Sequence, residues 1–308
     1  MTGVINFDKP SGCTSHDAVA FLRMVFGRPH KVGHTGTLDP AASGVLPLCV
    51  GKATKLAQYM SGSSKSYYVE ALLDRCTETG DMEGKSVETF LPESPPDTEA
   101  LLGAISSLTG SIEQVPPMYS ALKIDGVRLY KLARQGKTVE RKARQVTIYD
   151  YELISYQWPK LVCRVHCSSG TYIRTLLEDT GKILGVGGTV ESLRRESVGS
   201  LILTEAHTAF DIVKAAIGGD LESLFAPWPQ VLPKTSRAEI RPTAMEKVKN
   251  GAPVTEDQIV RQFCGEGNQL LLMTNEGKLA ALYRVDKEDM TDKSDTTRVT
   301  YKAEKVFL

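Results

Sequence analysis

One carboxylate stands apart in this chain. Asp39 is the only acidic residue between Asp17 and Glu70, an interval that also carries Arg23, Arg28, Lys31, Lys52, Lys55 and Lys65. It closes the stretch Gly33-His34-Thr35-Gly36-Thr37-Leu38-Asp39-Pro40, so an imidazole and a carboxylate share one loop. A carboxylate held among cations can act as a nucleophile or stabilise an electron-deficient carbon. Gly33 and Gly36 read as positions that admit backbone conformations closed to other residues and let another molecule approach. Pro40 biases Asp39 towards an extended conformation. The stretch therefore reads as a rigid loop presenting Asp39 and His34. The same cluster of Gly, Thr and Asp also fits an ordinary turn in which Asp39 caps a following helix.

Other chemistries find little support. The sequence has no P-loop, no G-x-G-x-x-G after a strand, no H-E-x-x-H and no G-x-S-x-G. Thr35-Gly36-Thr37 beside an aspartate is similar to enzymes that form aspartyl-phosphates, but those place the aspartate before the Thr-Gly-Thr segment. Cys13, Cys49, Cys76, Cys163, Cys167 and Cys264 are dispersed without CxxC spacing, so they indicate neither a zinc site nor a disulfide framework. Free thiols in a cytoplasmic protein are the simplest account. Met1 to Phe7 lacks a basic n-region and a long apolar run, so no signal peptide is expected, and no apolar run reaches membrane-spanning length. A cofactor-free enzyme or a binding protein remains.

The elements that must position these residues follow from local patterns. At 308 residues with 41% hydrophobic content, the chain can bury a real core in one large and one small domain. Val4 to Phe7 reads as a strand ended by the turn cluster Asp8 to Gly12. Thr14 or Ser15 can cap a helix with Ala18, Val19, Phe21, Leu22, Val25 and Phe26 on its apolar side. Gly44 to Val50 suits a buried strand, Lys52 to Met60 a helix, and Tyr67 to Leu73 another strand. An aromatic such as Tyr67 in a strand usually packs in a core. A proline-rich linker, Pro92 to Asp97, leads into a helix over Thr98 to Leu108. Leu129 to Arg134 reads as a short basic helix closed by Gly136. Val146 to Ser155 and Leu161 to Cys167 alternate like strands. Ser168-Ser169-Gly170 then turns into a helix carrying Ile173, Leu176, Leu177, Ile183 and Leu184 on one face. Tyr172 and Arg174 begin that helix, where ligand sites often lie, although Arg174 alone would read as a surface arginine. Leu193 to Arg195 falls in a strand.

Pro227 to Pro233 marks the domain boundary. Beyond it come a helix over Pro242 to Asn250, strands over Gln269 to Thr274 and Leu279 to Val285 joined by Asn275-Glu276-Gly277-Lys278, and a last strand over Val299 to Phe307. The fold class expected is α+β, a mixed and mainly antiparallel sheet domain over 1–230 and a small β-rich module over 231–308.

Net charge is zero, yet the charge is uneven. Residues 74–99 carry eight acids against Arg75 and Lys85, and residues 128–144 carry seven bases (Arg128, Lys131, Arg134, Lys137, Arg141, Lys142, Arg144) against Glu140. A neutral protein can still present a positive face to a polyanion; either run also fits a solvated surface.

Assembled in order, these residues resemble the TruB family of tRNA pseudouridine synthases over nearly the whole chain. Lys9-Pro10-Ser11-Gly12-x-Thr14-Ser15 resembles its first motif. Gly33 to Pro40, running on to Gly44-Val45-Leu46, resembles its catalytic motif. Lys65-x-Tyr67, Pro116 to Lys123 with Arg134-Gln135-Gly136, Gly170 to Arg174, and Leu193-Arg194-Arg195 complete the set. The tail is similar to a PUA module, chiefly at Asn250 to Val254. The resemblance implies isomerisation of uridine-55 in the tRNA T-loop to pseudouridine, with base flipping and with neither cofactor nor metal. It implies Asp39 as nucleophile, and Tyr67 stacking on the uracil with a hydroxyl able to move a proton. Arg174 would pair with Asp39, His34 would fill the space left by the base, Tyr172 would bond near the substrate and Leu193 would wall it. An insertion at about 110–145, with Arg128, Lys131, Arg134, Arg141, Lys142 and Arg144, would grip the tRNA backbone together with the PUA module; no protein partner or membrane is implied. The rivals are a non-catalytic RNA-binding protein on the same scaffold and a nucleoside hydrolase using Asp39.

Overall fold

The structure, a computed structural model, describes residues 1–286 and 300–308 apart from Pro29, Ala121, Asp125, Cys264, Glu266 and Gly267. Cys264 and the Val299 end of the last expected strand lie outside the described residues.

Alternation of apolar and polar side chains builds one large sheet. Its main path runs Gly3–Lys9, Ser43–Val50, Thr189–Val198, Lys65–Leu72, Lys160–Cys167, Arg144–Gln157 and Gly110–Gln114. Val32–His34 pairs with Ser43–Val50, and Leu201–Ile202 with Thr189–Val198. Every pairing is antiparallel except that of Ser43–Val50 with Thr189–Val198, so the sheet is mixed and mainly antiparallel as expected. One face carries Val69, Ala71, Leu161, Cys163 and Val165 against the helices Thr98–Ser107 and Ile173–Leu184. Toward the Gly3–Lys9 edge, Ile5, Phe7, Leu46 and Leu48 pack under the helices Ser15–Phe26 and Ala209–Gly218.

Thr14 caps the first helix in a capping box. Asp17 N donates to Thr14 Oγ1 at 3.1 Å, and Thr14 N donates to the Asp17 carboxylate at 2.8 Å. Such a cap contributes about 1 kcal/mol and fixes where the chain turns from loop to helix. The expected helix over Lys52 to Met60 instead starts as a 3-10 stretch, Gly51–Leu56, with one α turn, Ala57–Met60. The buried residues there, Ala53, Leu56 and Met60, are first three and then four apart, so the tighter helix aligns the first pair.

A second sheet runs Val254–Thr255, Thr300–Val306, Leu279–Asp286, Gln269–Met273, Ser236–Ile240 and Ile259–Phe263. The 242–250 segment is a 3-10 turn, Pro242–Ala244, followed by the helix Met245–Lys249. The proline-rich joint is not a free tether. Val231 and Leu232 are buried in a cluster that also holds Val45, Cys49, Leu56, Leu271, Leu282 and Phe307. Lys55 Nζ donates to Val306 O at 2.9 Å across the same contact. Among the described residues no helix is long and apolar enough to cross a membrane.

Candidate active site

The Asp39 loop is held by the turn that precedes the first helix. Lys9 is fully buried, and its Nζ donates to Pro10 O at 2.8 Å, Cys13 O at 2.7 Å and Pro40 O at 3.3 Å. Gly12 N donates to Pro40 O at 2.9 Å, and Ser11 Oγ to Ala41 O at 2.7 Å. The buried Ser15 hydroxyl donates to Leu38 O at 3.0 Å and accepts from Leu38 N at 2.9 Å. Residues on both sides of Asp39 are thus clamped, which is how a loop reaches the precision catalysis needs. Ala42 N donates to Asp39 O at 3.1 Å and the strand Ser43–Val50 follows, so Asp39 caps no helix.

The backbone freedom expected at Gly33 and Gly36 is used elsewhere. Gly33 and Gly36 are not held at positive φ; a Cβ on Gly36 would stand 4.0 Å from Lys65 Cε. The demanding position is Gly44, at φ +105°, where a Cβ would stand 2.2 Å from Arg195 O. Only glycine lets these parallel strands close there.

Asp39 meets Arg174. The guanidinium, 7% exposed, lies 2.9 Å from Asp39 Oδ2 and 3.3 Å from Asp81 Oδ2. It also donates to Thr79 O at 2.7 Å and Tyr119 O at 2.9 Å. Arg174 is therefore a buried hub for two carboxylates, not the surface arginine its type alone would indicate. Asp81 is a site residue that sequence reasoning missed, hidden among the acids of 74–99. Its Oδ1 accepts from Thr79 Oγ1 at 2.5 Å and Glu83 N at 3.1 Å. Asp81 should hold Arg174 at the angle that serves Asp39. Asp81→Asn is expected to fold and to lower single-turnover conversion about 10- to 100-fold, the cost of small misplacement. An unchanged rate would reduce Asp81 to a structural contact.

Asp39 and Arg174 line three cavities, one of them a small cleft of about 50 Å³ beside Asp81 and Glu83 and two of them larger. One, about 360 Å³, is lined by Tyr67, Tyr172, Leu193, Lys65 and Arg195. The other, about 600 Å³, is lined by His16, His34, Tyr119, Tyr130 and Arg134. Tyr67 is both core and cavity wall, 7% exposed, and burial pushes its hydroxyl above the usual phenol range. Tyr172 is raised by the same cause. Its backbone is pinned by Gln114, another residue missed in the sequence: Tyr172 N donates to Gln114 Oε1 at 2.7 Å, and Gln114 Nε2 to Tyr172 O at 3.1 Å. His34 packs edge-on against His16, ring centroids 5.6 Å apart. The structure thus brings Asp39, Tyr67, Arg174, Tyr172 and Leu193 around one cavity and His34 around its neighbour.

The basic segment is less uniform. Lys131, Lys142 and Arg144 are exposed. Arg134 is exposed, lies over the Tyr130 ring at 5.8 Å and lines the second cavity. Arg141 is half-buried and donates to Pro116 O at 3.1 Å, tying the insertion down. The Arg128 side chain lies outside what the structure describes. No group of three or more His, Cys, Asp or Glu residues suited to a metal ion occurs among the described residues.

A buried arginine paired with a half-exposed carboxylate on a clamped loop, beside an aromatic-walled cavity, suits attack on or stabilisation of an electron-deficient carbon. Comparisons with known proteins supply the family. Residues 23–173 match the family described as TruB family pseudouridylate synthase (N terminal domain). A tRNA pseudouridine synthase B from Geobacillus thermodenitrificans is 40% identical over 289 residues, covering 92% of this chain and 94% of that protein. One from Cupriavidus metallidurans is 42% identical, covering 91% and 86%. Among solved structures, a chain of an H/ACA RNP bound to a substrate RNA containing 2′-deoxyuridine is 25% identical with a TM-score of 0.73, covering 99% of this chain and 85% of that one. A chain of a Cbf5-Nop10-Gar1 complex is 28% identical with a TM-score of 0.72, covering 99% and 85%.

Proposed function

This chain belongs to the TruB family of pseudouridylate synthases, and we propose that it isomerises uridine-55 in the T-loop of tRNA to pseudouridine. The observation that carries the reading to the level of residues is the Asp39–Arg174–Asp81 network at the mouth of a cavity walled by Tyr67. tRNA as substrate is supported by the names of the relatives, which are tRNA enzymes.

The reaction breaks the N1–C1′ bond, turns the uracil and joins C5 to C1′. Nothing is oxidised or hydrolysed, so the chain's own residues suffice for each step. Asp39 acts on the electron-deficient sugar, by adding to C1′ or by assisting a glycal route; both use the same ionised carboxylate. Arg174, 2.9 Å from that carboxylate, pairs with it and holds it in place as substrate excludes water. A uridine in a folded T-loop is out of reach, so it is flipped into the Tyr67 cavity, where Tyr67 stacks on it, Leu193 walls it and Tyr172 bonds near it. His34, across Asp39, occupies the space the base leaves. Unlike a hydrolase, the enzyme returns the base to the same sugar.

We divide the chain at 230/231 into a catalytic domain with an RNA-gripping insertion at about 110–145 and a PUA-like RNA-binding domain. Exposed Lys131, Arg134, Lys142 and Arg144 are the backbone-gripping candidates. Replacing Lys131, Arg134 and Lys142 together with glutamine should weaken tRNA binding. It should also reduce the slope of log affinity against log salt by roughly one for each phosphate no longer neutralised. A slope equal to that of the unaltered protein would leave these bases facing solvent in the complex.

The reading is tested by tritium release from tRNA labelled at uridine C5. Isomerisation sends that hydrogen to water with no free uracil. Free uracil would indicate a hydrolase, and tight binding with no release a non-catalytic binder.

A further inference from the structure

Opposite Arg174, the cavity contains two buried cations that the mechanism above leaves unused. Arg195 is 1% exposed and Lys65 8%, and both line the cavity. Among the described residues neither has a carboxylate within ion-pair distance. Their hydrogen bonds go to backbone carbonyls. Arg195 Nε donates to Val45 O at 2.6 Å, and its terminal nitrogens reach Thr37 O and Gly36 O at 3.4 Å each. Lys65 Nζ donates to Ser61 O at 3.2 Å and Ser63 O at 2.6 Å. Arg195 is also the direct cross-strand partner of Tyr67, so the two side chains share one face of the sheet. One guanidinium thus holds the backbone just before Asp39 and stands on the sheet face that carries Tyr67.

We propose that Arg195 is a positioning residue for Tyr67, fixing the phenol against the Asp39 loop, where its oxygen takes the C5 proton. The inference deepens the role given to Tyr67 above and rests on it. In that step C5 already carries its new bond to C1′. The C5–H bond breaks, its electron pair forms the C5–C6 double bond, the π pair of the C6–N1 double bond moves onto N1, and the proton passes to the Tyr67 oxygen. N1, freed from C1′, takes a proton from water, and the hydroxide so formed is neutralised by the proton that Tyr67 gives up, so no net proton is consumed. Burial alone opposes a phenolate, and the nearby Arg195 cation works against that effect. The other titratable groups acting on the hydroxyl are Cys167 from the neighbouring strand and Asp39 from the loop; Lys65 lies two residues before Tyr67 on its own strand and lines the same cavity. Cys167 and Asp39 push the phenol further up, and Cys167 is itself raised to about 11 by burial. Lys65 is lowered to about 8, by burial first and Arg195 next, so it fades as a cation where Arg195 persists.

The test is single-turnover pseudouridine formation on unmodified tRNA transcript, with tRNA binding measured alongside, for the unaltered protein, Arg195→Gln, Arg195→Lys, Tyr67→Phe and the double variant Arg195→Gln with Tyr67→Phe. Arg195→Gln should lower the rate at least about tenfold with binding nearly unchanged, and Arg195→Lys should recover part of the loss. Once the hydroxyl is gone Arg195 has nothing to position, so the double variant should be no slower than Tyr67→Phe. An Arg195→Gln loss that is undiminished in the Tyr67→Phe background would overturn the proposal, since a merely structural arginine behaves that way. If Tyr67→Phe turns over normally, the role of Tyr67 itself fails; if Tyr67→Phe is slow while Arg195→Gln is not, only the role of Arg195 fails. Should Arg195→Gln not fold, the ¹⁵N guanidinium resonance of Arg195 is compared between the unaltered protein and Tyr67→Phe. A shifted resonance supports the contact, and an unmoved one overturns it.

Discussion

Asp39→Asn binds unmodified tRNA nearly as well as the unaltered protein and forms no detectable pseudouridine: that is the expected result with the largest effect. Asparagine keeps the shape of the side chain, and its carbonyl can still accept from Arg174, now 2.9 Å from Asp39 Oδ2. The loop stays in place, because its clamps come from Lys9, Ser11, Gly12 and Ser15 and not from the carboxylate. Only the negative charge and the nucleophilic oxygen are lost. Removing a catalytic nucleophile from an otherwise intact site costs on the order of 10⁴–10⁶ in rate. Binding should survive because affinity for tRNA comes mostly from phosphate contacts. Single-turnover conversion beside a filter-binding isotherm measures both quantities. Turnover within about tenfold of the unaltered protein would sink the nucleophile assignment.

Tyr67 carries the second large effect, and two substitutions separate its ring from its hydroxyl. Tyr67→Phe keeps the ring in the wall of the cavity and removes the group beside Arg195. Its binding should be close to normal and its single-turnover rate lower by about 10²–10⁴, the usual share of acid–base participation. Tyr67→Leu also loses the stack, worth roughly 1–3 kcal/mol per base. It should be as inactive and bind more weakly. Near-normal turnover by Tyr67→Phe would leave the hydroxyl without a catalytic part. If both variants merely melted earlier with activity intact, Tyr67 would be the core residue that its strand pattern first indicated.

What could be read from the sequence follows the range of each physical signal. Asp39 was legible because isolation among bases is visible without any fold. The strand around Tyr67 and the capped helix at Thr14 were legible because alternation and caps are local. Arg174 was placed at the start of a helix, but its burial was not visible, since that depends on Thr79, Asp81 and Tyr119 arriving from distant segments. Asp81 was hidden among eight acids that look like a solvated run. Only the turn through Gly80, at φ +73°, directs it to Arg174. Gln114 was invisible for the same reason: its two bonds to the Tyr172 backbone span 58 residues. Glycine reasoning chose Gly33 and Gly36, where the conformational freedom goes unused, over Gly44, where close approach to Arg195 demands it. Charge density marked the basic segment but could not separate Arg141, which ties down Pro116, from exposed Lys131 and Lys142.

If this chain turns one uridine of the tRNA T-loop into its C-glycoside with its own residues, nucleotide-resolution mapping of a tRNA transcript, before and after incubation with the pure protein, should show it. A single new pseudouridine is expected at uridine-55, present with the unaltered protein and absent with Asp39→Asn. A transcript left unmodified by the unaltered protein, or modified at some other position, would rule out uridine-55 isomerisation by this chain.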